Sequence, residues 1–156
     1  MTFRVHALPL APFRPLIDQD ELALQAIGAR RMVADAPNSA PCRVSLVDAE
    51  PGERLLLVNH VHLGAPMSPY RSRGPIFVRE AAIQASIAPD CVPDMLARRL
   101  LSARVYDEDW MMIDADVIDG CDAAQRLATW LQNPAAVSIH LHTARRGCYL
   151  AAVRRL

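Results

Sequence analysis

The chain contains no lysine; all 17 of its basic residues are arginine. That removes Schiff-base chemistry, a lysine nucleophile and the phosphate-loop lysine. Cys-x-x-Cys pairs are also missing. Cys42, Cys91, Cys121 and Cys148 stand far apart, which argues against a zinc ribbon, a thioredoxin-like site and a disulfide framework. No apolar run approaches the ~20 residues needed to cross a bilayer. Arg4, His6 and Pro9 interrupt the N-terminal segment before a signal-peptide core can form. There is no excess of either charge, since 17 acidic residues offset 17 basic ones. The overall balance therefore steers the chain toward neither nucleic acid nor an anionic membrane. Arginine pairs at Arg30, Arg98, Arg145 and Arg154 are scattered, with no aromatic platform beside them. These absences predict a cytoplasmic protein whose partners include neither nucleic acid nor membrane.

What is present is core material. The 156 residues are 52% hydrophobic and 22% charged, a globular composition that predicts a single domain over residues 1–156. Phe3–Leu8 reads as a short strand, and the proline-spaced Pro9–Pro15 as extended chain. Asp18 is expected to cap a helix running through Ala26, with Glu21 as its capping-box partner and Gly28 as its stop. Arg30–Ala34 reads as a brief strand. A hairpin follows, with Cys42–Val47 and Arg54–His62 on either side of Asp48–Gly52. The apolar run Leu55–Val58 suits a central strand buried on both faces.

Residues Gly64–Pro75 form the longest irregular stretch, and Ile76–Arg79 reads as another strand. Pro93 introduces a helix over Asp94–Arg99. Leu100–Tyr106 and Trp110–Ile118 form a second hairpin. Cys121–Gln132 is the best helix, with Ala124, Leu127, Ala128 and Leu131 on one face. Alternation of Val137, Ile139 and Leu141 with Ser138, His140 and His142 starts a terminal hairpin. The sum is an α+β fold: a mainly antiparallel sheet built from hairpins, with a mixed sheet as the alternative, and two or three short helices.

Four constellations carry chemistry. His60-Val61-His62 and His140-Leu141-His142 each put two imidazoles on one strand face, the geometry by which sheets present nitrogen ligands to zinc or iron. No carboxylate stands at a third-ligand offset, so the sequence assigns no metal site, and metal binding is held as an alternative. Arg145-Arg146-Gly147-Cys148 places two guanidiniums and a thiol in the terminal turn. Arginine forks match carboxylate and phosphate oxygens, and His142 is within reach of serving Cys148 as a base. The loop with Tyr70 and Arg71 suits a pocket wall, whereas Ser68 lacks the surroundings of a nucleophile elbow. Asp114 and Asp116 share a strand face, which more often marks the wet side of a hairpin than a cation site.

Several segments together resemble a known family: Pro41–Leu46, Asp48–Glu53, Ser68–Arg71, Gly74–Glu80 and Ala144–Cys148. They are similar to the bacterial domain-of-unknown-function family 1203, over nearly the whole chain. The resemblance implies a compact bacterial domain that usually stands alone, and it transfers no activity.

The sequence therefore points to a protein or enzyme that binds a polar or anionic small molecule. Arg43, Tyr70, Arg71, Arg145 and Arg146 are the expected binding residues, and His142 and Cys148 the expected catalytic ones. Whether it is an enzyme stays open, and no cofactor is indicated. The alternatives are an interaction module or homodimer using a strand edge or the Trp110-Met111-Met112 surface, and a metal-binding protein using the His-x-His strands.

Overall fold

The computed structural model describes residues 2–156. Eight strands make two antiparallel sheets. The larger holds β1 (Phe3–His6), β5 (Leu100–Tyr106), β6 (Met112–Asp119), β7 (Ser138–Thr143) and β8 (Tyr149–Arg155) in the order β1-β8-β7-β5-β6. The smaller holds β2 (Arg30–Val33), β3 (Arg54–Leu63) and β4 (Ser72–Arg79), with β3 in the middle. The helices are α1 (Arg14–Ile17), α2 (Glu21–Ala26), α3 (Asp94–Ala97) and α4 (Ala123–Trp130), the last preceded by a 3-10 turn, Gly120–Asp122. The α+β class stands, and every pairing between named strands is antiparallel.

Each sheet has its own core. Ile139 and Leu141 of β7, Ala151 and Val153 of β8, and Leu101, Ala103 and Val105 of β5 face Leu127 and Leu131 from α4 and its C-terminus. Leu56 and Val58 of β3 and Ile76 and Val78 of β4 pack with Phe13 and Leu24. Period-2 alternation is what allows one strand face to fill a core while the other carries polar groups.

Four local expectations are corrected. Cys42–Val47 is not a strand. The Leu46 amide donates to the Cys42 carbonyl at 3.0 Å, and the Cys42 amide to the Val47 carbonyl at 3.0 Å, so the segment curls back on itself. Leu46 takes a left-handed φ of +50°. The curl sends Cys42 and Val44 into one core and Leu46 into the other, whereas a strand would point all three the same way. The place beside β3 goes to β2 instead.

At the N-terminus, α1 forms where extended chain was expected, because Pro15 falls in its first turn, where the missing N–H costs nothing. Asp18 ends α1. The cap of α2 is Asp20, whose Oδ1 accepts from the Ala23 amide at 2.8 Å. Strand β4 also begins at Ser72, which shortens the long loop.

Candidate functional site

One face of the large sheet carries Ser138, His140 and His142 of β7, paired across to Tyr106, Arg104 and Ser102 of β5. Two irregularities bring further rings there. The β3–β4 register slips between Val61 and Leu63, leaving His62 as the extra residue of a bulge. Bulges re-aim side chains. His60, two residues earlier, packs on Phe13 with ring centroids 5.7 Å apart. In β8, Ala151 opposes Leu141 but Tyr149 opposes His142, so Leu150 is skipped and Tyr149 joins the histidines.

One ring nitrogen from each of His62, His140 and His142 lies within 4.8 Å of the others. The His62 ring is 5.1 Å from His142 and 6.0 Å from His140 between centroids. Tyr149 stacks on His62 at 5.0 Å, nearly parallel, and presents an edge contact to His140 at 5.4 Å. Tyr106 and Trp110 wall His140 on another side, at 5.1 and 5.8 Å.

The tautomer of His142 is fixed by its neighbour. Its Nδ1 lies 2.9 Å from the Gly147 carbonyl, which can only accept, so Nδ1 carries the proton and Nε2 the lone pair. Gly147 holds this carbonyl in place from a left-handed φ of +72° within the terminal turn, where its amide donates to the Thr143 carbonyl at 2.8 Å. Nε2 of His142, Nδ1 of His140 and Nδ1 of His62 are buried, with no hydrogen-bond partner among the described residues. A buried polar atom left unpaired costs ~1–3 kcal/mol.

Burial holds all three imidazoles below their ordinary range, His62 and His142 at about 4 and His140 at about 3. Mutual repulsion and the charge of Arg104 add to this. At neutral pH each ring is uncharged and offers a lone pair.

His62 also borders an open cleft of about 260 Å³, lined among others by Arg73, Arg104, Arg146, Cys148 and Tyr149. No Asp or Glu lines it. None of the three arginines enters an ion pair among the described residues; Arg73 donates only to the Asn59 amide oxygen.

Residues 39–155 match the family described as "Protein of unknown function (DUF1203)". The chain belongs to that family. The match takes in every residue of the histidine group and the cleft, and leaves β1, α1, α2 and β2 outside. No curated protein and no solved structure matches the chain. The family description names no activity.

Of the expected site residues, the structure brings His142, Arg146 and Cys148 together at the cleft and the adjoining histidine group. Arg43 is 2% exposed and turned to main chain: Nε donates to the Tyr149 carbonyl at 2.7 Å, and a second nitrogen to the Pro41 carbonyl. Burial pulls its pKa down to about 10. Tyr70 and Arg71 lie exposed on the loop before β4, and Arg145 is exposed in the terminal turn; none of them lines the cleft.

Trp110 turns inward against Tyr106 and His140, while Met111 remains exposed. Asp114 accepts from the Trp130 indole at 2.8 Å and Asp116 from Arg126 at 2.7 Å, tying α4 to β6. The sequence grouped Arg73 with Arg71 as loop arginines that could join an anion site, but passed over Arg104 and Tyr149. Arg104 shares one face of β5 with Ser102 and Tyr106, a polar face that period 2 alone could have drawn out.

Proposed function

We propose that this DUF1203 protein binds a small anion, a carboxylate or phosphate compound, in the cleft beside His62. One observation carries the reading: Arg73, Arg104 and Arg146 converge on a cleft that holds no carboxylate. The chain as a whole is neutral, so three uncompensated guanidiniums in one recess are a local departure that an anion would balance. Guanidinium forks suit planar and tetrahedral oxyanions. At about 260 Å³ the cleft falls just below the ~300–1,000 Å³ of common ligand sites, which favours a compact ligand. Half-buried Cys148 lines the same recess, so a bound ligand would lie against its thiol.

Calorimetric titration of the full, metal-free chain with inorganic phosphate and with succinate tests this. Saturable binding of at least one is expected. A hydrogen bond to a charged group contributes ~1.5–3 kcal/mol, so Arg104→Gln should weaken binding roughly tenfold or more. Arg145→Gln, outside the cleft, should leave it unchanged. Absence of saturation with both probes, or affinity indifferent to Arg104→Gln, overturns the reading.

A further inference from the structure

We infer that His62, His140 and His142 form a binding site for one divalent transition-metal ion of the zinc, cobalt or nickel class. Geometry is the first support. Three nitrogens around a tetrahedral ion, each ~2.0–2.1 Å from it, stand about 3.4 Å apart. Contraction from 4.8 Å to that spacing moves each ring by less than about 1 Å. His62 sits at a bulge at the end of β3, where such a movement is absorbed most easily.

The second support is unmet bonding. His140 and His142 are 2% and 0% exposed, and each, like His62, buries a ring nitrogen without a partner. Interiors rarely leave such atoms unpaired, and these three come from three residues facing one point. A structural histidine would be expected to give both ring nitrogens a partner. Among the described residues only His142 has a hydrogen-bond partner for one of its ring nitrogens, and it is of the kind that prepares a ligand. Metal-bound histidines commonly donate their other N–H to a carbonyl, which fixes the tautomer. The Gly147 carbonyl does this for Nδ1 and leaves Nε2 as the donor.

The third support is the ligand set. All-imidazole sites suit zinc, copper, cobalt and nickel, and not the hard oxygen-seeking ions. Three protein ligands also leave a coordination position open. His62 belongs to both the group and the cleft, so the cleft is the side from which an ion enters and a further ligand arrives. No carboxylate belongs to the group, and Arg104 adds positive charge nearby. The balancing charge must then come with an exogenous anion, which the arginine-lined cleft is suited to hold.

The test uses chelator-stripped full-length chain titrated with Co2+ and then with Zn2+. One equivalent of Co2+ should bind with the visible absorption of a low-coordinate nitrogen-ligated ion, and Zn2+ should displace it. His62→Gln, His140→Gln and His142→Gln should each weaken binding at least tenfold, and His60→Gln should not. His62 is the least buried of the three, so its variant keeps the test decisive if the β7 variants fail to fold. No stoichiometric uptake by folded protein, or uptake equal in wild type and His62→Gln, overturns the inference. Phosphate binding by the metal-free chain is read separately, so loss of the metal site leaves the anion cleft standing, and the reverse holds too.

Discussion

Arg43 connects the two halves of the molecule through a single residue. Its amide donates to the Phe77 carbonyl of β4 at 3.1 Å, and its guanidinium reaches the Tyr149 carbonyl at the start of β8. The fork satisfies the Pro41 carbonyl at the same time. Lysine would keep the charge, but its compact ammonium cannot span the two carbonyls that separate nitrogens of the guanidinium reach, which leaves a buried carbonyl unpaired. Arg43→Lys is therefore expected to cost about 1–3 kcal/mol, read from the urea midpoint at unchanged slope. An unaltered midpoint would show that the guanidinium is not the clamp. Because Tyr149 stacks on His62, the same variant should also weaken Co2+ uptake.

Among the elements, the register slips decide the site. Alternation along β3 assigns His60 and His62 to one face, and a one-residue slip redirects every side chain beyond it. The slip at His62 separates the pair and delivers one ring to His140 and His142; the slip at Leu150 does the same for Tyr149. The 3-10 turn before α4 shows comparable tightness. A Cβ on Gly120 would come within 2.1 Å of the Leu96 carbonyl oxygen and within 2.8 Å of those of Ala97 and Arg99. All three are backbone atoms at the end of α3, so neither side can give way cheaply. Gly120→Ala should destabilise by ~3 kcal/mol or more, seen as a fall in thermal midpoint. A midpoint within a degree of wild type would mean that α3 shifts freely.

For the whole molecule, the histidine group and the cleft share His62 and are predicted to be thermodynamically linked. Zinc at a hundredfold excess over its dissociation constant stabilises a folded protein by ~2.7 kcal/mol. At ~2–4 °C per kcal/mol for a chain of this size, the thermal midpoint should rise by roughly 5–10 °C. His62→Gln should abolish most of that rise. Phosphate should tighten zinc binding by the same factor as zinc tightens phosphate binding. Equal zinc affinity with and without phosphate would separate the two sites.

The sequence by itself determined the α+β class, the family, the central β3, the helix at α4 and the terminal hairpin that sets His140 beside His142. Hydrophobic periodicity and turn chemistry act over a few residues, and those elements need nothing more. It left metal binding as an alternative with no assigned site, because no third ligand stood at a local spacing. Only the tertiary structure decided that His62 is near enough to complete a triad and that Arg73 and Arg104 border the same cleft. It also decided that Arg43 is spent on main-chain carbonyls. These depend on how two sheets pack and on single-residue slips in pairing. Neither leaves a period in the sequence, since each is settled by long-range contacts made after the strands have formed.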